Sequence, residues 1–215
     1  MDKFTEGIAF IMEGKTEKAF YKCFLDYICA TNFNIKFDKE ISDDGEVYYT
    51  WSSPSKKIII KIFVVGTISQ ITHSASWFVN KCSKKMRIPW TVYLCYDTDS
   101  PNAEISKFYE GDWKILRAEL KKAHAAKIID LAASADIEDI MLCDIEGICK
   151  FLEIPIPEKL IGRKGKAKMK KLHMSHGLTY HEAERALPLI RALDFSKIMQ
   201  KGPIDLKSLK QHLLE

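Results

Sequence analysis

Residues 8–21 read IAFIMEGKTEKAFY, and few folds accept such a run. Ile8 to Met12 is an unbroken apolar segment of strand length, the pattern of a strand covered on both faces. Gly14 permits a tight turn, and Thr16 is placed to cap a helix. Phe20, Cys23, Phe24, Tyr27 and Ile28 then fall on one helical face. A buried strand that turns at once into an amphipathic helix predicts the first unit of an open α/β sheet. Glu13 then projects from the carboxyl end of that strand, where such sheets hold their ligands.

The chain beyond alternates in the same way. Residues 34–53 carry Ile35, Phe37, Ile41, Val47, Tyr49 and Trp51 in alternation around Asp43-Asp44-Gly45, which predicts a hairpin inserted into the main unit. Lys57 to Val65 is a second apolar strand, and a helix is expected from Ile68 to Lys84 after a cap at Thr67. Trp90 to Tyr96 reads as the third strand and ends in Asp97-Thr98-Asp99. A helix with a break at Gly111-Asp112 is expected up to Lys122, followed by a strand over Lys127–Ala132. Strand and helix in turn predict a parallel sheet flanked by helices. From Glu138 the pattern is helical, over Glu138–Leu152, His181–Leu193 and Leu206–Leu214. The expected organisation is therefore an α/β domain over residues 1–140 and a helical C-terminal extension over 141–215, packed on the sheet.

Composition narrows the class. With 47% hydrophobic and 29% charged residues the chain can bury a core, and a net charge of +4 means that any basic partner surface must be local. The six cysteines form no CxxC pair and lie in apolar patterns, as reduced, buried thiols do. Asp2, Lys3 and Glu6 rule out a secretory signal at the first residues, and no apolar run reaches the roughly 18 residues of a membrane span. A cytoplasmic protein with no membrane partner is expected.

Two sets of carboxylates stand at strand ends, Glu13 and the Asp97-x-Asp99 pair. Aspartates two apart beyond a strand can aim at one hard cation, and magnesium takes a few carboxylates with waters and phosphate oxygens. A glutamate at the same rim can complete the shell or move a proton. The plainer reading of Asp97 and Asp99 is an Asx-type turn that opens the next helix. Gly14-Lys15-Thr16 does not end a P-loop, because the earlier glycine would fall at Ala9, inside the strand. Asp97 and Asp99 do not open an EF-hand, whose twelfth position would here be Phe108.

These residues resemble a family. Met12-Glu13-Gly14-Lys15-Thr16-Glu17 with the later Asp97-x-Asp99 is similar to the Toprim domain of topoisomerases, bacterial primases and several nucleases. The aromatic pair Phe20-Tyr21 and the segment Ser134-Ala135-Asp136-Ile137-Glu138 resemble the small stand-alone OLD-like and RloB-like proteins. The family's asparagine-proline after the serine is here Ala135-Asp136. The resemblance implies a Toprim-like fold and a nuclease or related phosphodiesterase that uses magnesium, or manganese in its place, in defence against phage. It implies Asp97 and Asp99 as ligands, Glu13 as ligand or proton carrier, and Glu138 as a ligand of a second metal. For Glu138 the alternative is a first-turn acid that favours the helix dipole. Asp136 and Asp139 read as cap and surface. The resemblance also implies a separate ATPase subunit as a partner and leaves room for a homo-oligomer.

Residues 159–171 hold Lys159, Arg163, Lys164, Lys166, Lys168, Lys170 and Lys171 and no acid after Glu158. Such a run suits a nucleic-acid backbone, DNA or RNA, or else a solvated loop. Lys15, on the turn after Glu13, is the other expected phosphate contact. His173, His176 and His181 match no zinc spacing and read as surface or cap residues. Tyr180 reads as helix core. Two other functions stay open at this level: a non-cleaving nucleic-acid module serving an ATPase, and a hydrolase of small phosphate esters.

Overall fold

The computed structural model describes residues 4–66, 70–98, 113–133 and 136–215. Asp99, Ser134 and Ala135 lie outside the described residues, as does the expected cap at Thr67. The fold is α/β. Its strands are β1 (Glu6–Met12), β2 (Lys36–Ile41), β3 (Val47–Ser52), β4 (Lys57–Val64), β5 (Trp90–Asp97) and β6 (Lys127–Ala133). They form one sheet in the order β2-β3-β4-β1-β5-β6. β1 runs parallel to β4 and β5, whereas β2, β3 and β4 are antiparallel neighbours, so the sheet is mixed. The inserted hairpin is what mixes it. Ile8 to Met12 are fully buried, as the apolar run requires of a central strand.

The chain divides into two compact units that interleave along the sequence. The first comprises Met1–Glu13, Leu25–Cys95 and Phe108–Asp130. In it, acids at the hairpin end tie β2–β3 to the segment after α2 (Ile71–Phe78). Lys61 is almost fully buried on β4 and donates to Glu46 at 3.2 Å and to the Lys81 carbonyl at 2.7 Å. Asp44 takes Lys85 at 2.5 Å and Lys81 at 3.9 Å. The helix expected over Ile68–Lys84 is not uniform: Val79–Ser83 winds as a π-helix, with Cys82 buried beneath it. α3 (Lys114–Lys122) covers its apolar side with Leu116 and Leu120.

The second unit comprises Gly14–Phe24, Tyr96–Lys107 and Leu131–Glu215. It takes the first half of α1 (Lys15–Ala30) together with α4 (Ile137–Met141), α5 (Ile145–Leu152) and α6 (Gly165–Met174). The remaining helices are α7 (Leu187–Arg191), α8 (Phe195–Lys201) and α9 (Leu206–Leu214). Phe195 on α8 packs against Phe20 and Phe24 of α1, with ring centroids 5.4 and 5.6 Å apart. Helix Glu138–Leu152 is broken at Asp144, which is 2% exposed. Asp144 accepts from Gly147 N at 3.2 Å and Asp194 N at 2.7 Å, and faces Lys197 Nζ at 3.5 Å. Asp144→Ala should therefore cost about 2 kcal/mol in urea unfolding, since it removes a buried carboxylate that serves two part-buried backbone donors. Among the described residues no helix is long and apolar enough to cross a membrane.

Candidate functional site

Glu13 follows the last residue of β1 and is half-buried. Its N–H donates to Cys95 O and its carbonyl accepts from Gly66 N, both at 2.8 Å. The glutamate backbone is thus pinned between the end of β5 and the turn after β4. β1 lies between these two strands, and the chain runs first to the β4 side and then returns to the β5 side. The boundary between β1 and β5 is a topological switch point, where open α/β sheets leave a crevice at their carboxyl ends.

The turn differs from the expectation in two details. Gly14 is not among the residues of positive φ; its small size matters because a Cβ there would stand 2.7 Å from Glu17 Oε2. Thr16 is not the cap of α1 but sits within the first turn, and its Oγ1 accepts from Ala183 N at 3.1 Å. Lys15, the first residue of α1, is exposed.

In the second unit, Asp97 ends β5 and is half-buried. Thr98 N donates to Ala133 O at 3.0 Å, so the ends of β5 and β6 stand side by side. Three residues beyond, Asp136 caps α4 in extended geometry, its Oδ1 accepting from Asp139 N at 3.0 Å. Its Oδ2 accepts from Lys166 N at 3.1 Å, while Asp139 Oδ2 accepts from Gly165 N at 2.8 Å. Asp139 Oδ1 also holds Lys168 Nζ at 2.5 Å. Two helix N-termini meet here, and two carboxylates satisfy three of their orphan donors. Asp139 is an internal anchor rather than a surface acid.

Glu138 is built differently. It is 3% exposed, and its Oε1 accepts from Tyr180 Oη at 2.9 Å. Burial pushes its carboxyl up to about 7; the neighbouring Asp136 adds to the rise and the Tyr180 hydrogen bond opposes it. Burial also raises Asp136, against the Lys166 N–H bond that favours its charged form. Tyr180 is pushed upward by burial and then by the Glu138 charge, so it stays a donor. The tyrosine was not legible as a partner of Glu138, because only the packing of a distant loop brings them together. Tyr180 lies outside any helix, and its hydroxyl, not only its ring, is used.

His173 is a further correction. It is 4% exposed rather than on the surface, its Nδ1 lies 2.8 Å from Met169 O, and its ring stands 5.3 Å from that of Tyr180. Burial lowers its pKa. His176 and His181 are exposed.

Of the basic run, residues from Gly165 on form α6 rather than a loop, with Lys164 at its N-cap. Lys166 and Lys170 both pair with Glu182, at 2.6 and 3.2 Å, and Lys168 is held by Asp139. Lys159, Arg163 and Lys171 are exposed and make no ion pair among the described residues.

The carboxylates are oxygen donors suited to a hard cation, and magnesium asks for only one or two of them with waters and substrate oxygens. Among the described residues no three of His, Cys, Asp and Glu are grouped to hold a metal. Asp136 and Asp139 are spent on backbone donors; of the other acids expected as ligands, Glu13 lies in the first unit, Asp97 and Glu138 lie in the second, and Asp99 lies outside the described residues.

No family model matches the chain. No curated protein matches it either. Among solved structures, a futalosine hydrolase mutant of Helicobacter pylori strain 26695 aligns over 93% of this chain and 100% of its own, at 9% identity and a TM-score of 0.27. A Helicobacter pylori 5'-methylthioadenosine/S-adenosylhomocysteine nucleosidase aligns over the same shares at 9% identity and a TM-score of 0.30. Likenesses of this size assign neither a family nor an activity.

Proposed function

We propose that the chain is a divalent-cation-dependent nuclease of Toprim type. The observation that carries the reading is the position of Glu13, pinned by its backbone at the switch point of the sheet. Support comes from Asp97 at the end of β5, and from Glu138 in the first turn after β6 with a carboxyl near neutrality. Asp97, Asp99 and Glu138 would hold magnesium or manganese, which supplies Lewis acidity toward phosphate and water. Glu13 adds a ligand or carries a proton. A carboxyl that titrates near pH 7 can both take and give a proton, a second task open to Glu138. Lys15 offers a cation to the substrate phosphate, and Lys159, Arg163, Lys164 and Lys171 offer others along the strand.

The pairing of Lys166 and Lys170 with Glu182, and of Lys168 with Asp139, leaves fewer free cations than the sequence suggests. That favours, as a second reading, the hydrolysis of a small phosphate ester by the same acids. A panel of plasmid, single-stranded DNA, tRNA, ribosomal RNA and a small phosphate ester in magnesium, manganese or EDTA separates the two. Metal-dependent cleavage is expected, reduced at least about a hundredfold in Asp97→Ala and Glu13→Gln. Salt-insensitive turnover of small esters alone would establish the second reading. Salt-dependent binding with no cleavage in any metal would leave a binding module.

A further inference from the structure

At the opposite end of β5 from Asp97, the first unit holds a cavity of about 410 Å³. Its lining includes Met86, Ile88 and the first strand residue, Trp90, as apolar wall, with Lys84, Arg87 and His124 as its basic side chains. No acid lines it. The Trp90 indole N–H is already spent on Met86 O at 3.2 Å, so the wall offers that face no donor.

The contrast with the adjacent lysines is informative. Lys81 and Lys85, in the same short segment, are balanced by Asp44 and Glu46 of the hairpin. The side chains of Lys84, Arg87 and His124, all three exposed, have no hydrogen-bond or ion-pair partner among the described residues. Lys84 and His124 follow the ends of the π-helical stretch and of α3, where a cation suits the helix dipole. That accounts for each basic residue one at a time. It does not account for three basic side chains from two separate segments lining one cavity with no acid among the described residues beside them.

We infer that this cavity binds an organic phosphomonoester, its phosphate against Lys84, Arg87 and His124 and its carbon skeleton along Met86, Ile88 and Trp90. A dianionic phosphate answers a cluster of cations, and the guanidinium of Arg87 can take two of its oxygens at once. The volume lies in the range of small-molecule sites and exceeds what a lone inorganic anion fills. The ligand can be a free nucleotide or the phosphorylated end of a nucleic-acid strand, which share this chemistry. The site is separate from the acidic rim and does not depend on the nuclease reading.

Calorimetric titration in metal-free buffer at low salt tests it, with four probes: AMP, adenosine, and one octanucleotide with and without a 5'-phosphate. Saturable binding of AMP but not adenosine is expected if the source is free nucleotide. Binding of the phosphorylated octamer in clear preference to its hydroxyl twin, without AMP binding, identifies a strand end. In either case Lys84→Gln/Arg87→Gln should weaken binding at least about tenfold. Lys36→Gln/Lys39→Gln, which removes the same charge from the edge strand β2, should leave it within about twofold. His124→Gln provides a second variant, weakening binding less, and unfolding curves confirm that each variant is folded. Absence of phosphate-dependent binding, or an equal loss in the edge-strand control, would overturn the inference.

Discussion

Raising the pH from 5 to 8 is expected to cost the metal-free protein about 3 kcal/mol of stability through Glu138 alone. The unfolded carboxyl titrates near 4.5 and the folded one at about 7. Between these values the folded chain holds a proton that the unfolded chain has released. The contribution is therefore complete below about 4.5 and is lost as the pH rises through about 7. His173 acts in the opposite sense, since burial lowers its pKa and its contribution is gained as the ring loses its proton. Comparison of the wild type with Glu138→Gln in urea unfolding at several pH values isolates the glutamate: the variant should lose most of the slope. Tyr180→Phe removes the donor that favours the charged form and should shift the window upward. A wild-type profile parallel to that of Glu138→Gln would show that the carboxyl titrates normally.

Gly165→Ala is expected to destabilise the fold by about 3 kcal/mol or more. An added Cβ would stand 2.1 Å from Asp139 N and 2.3 Å from Asp136 Oδ1, at the crossing of two helix N-termini. The nearest atom is backbone, so no rotamer relieves the clash. Separating the helices would strain the two capping bonds that cross between them, from Gly165 N to Asp139 and from Lys166 N to Asp136, each of a kind worth about 1 kcal/mol. Gly14→Ala supplies the comparison. Its closest clash is with the end of the Glu17 side chain, which can turn aside, so a loss under about 1 kcal/mol is expected. Equal unfolding midpoints for the two variants would count against this account of the crossing.

How far the sequence was legible follows from the range of each interaction. β4, β5 and β6 fall within a residue of their expected limits and β1 within two, because apolar runs between turn signals are local patterns. The hairpin and α9 were equally plain. α8 was missed although Asp194 caps it, since a helix of 7 residues carries too little periodicity to stand out between the expected helices on either side. α6 was hidden for another reason. A lysine-rich stretch has no apolar stripe of its own, and the carboxylates that cap it stand 26 and 30 residues earlier. The burial of His173 and the bond from Tyr180 to Glu138 are likewise tertiary facts. Glu13 and Asp97 were readable because strand ends are local; their company was not.

The contact of Phe195 with Phe20 and Phe24 bears on how the chain is made. During synthesis α1 is made long before the ring that covers part of its apolar face, because Phe195 follows Phe20 by 175 residues and Phe24 by 171. Contacts of such long separation slow folding and leave hydrophobic surface uncovered meanwhile. Nascent chains stalled before Phe195 should accordingly recruit chaperones at α1, and release should follow soon after α8 clears the exit tunnel. A helix made well before α8 is thus finished only with it.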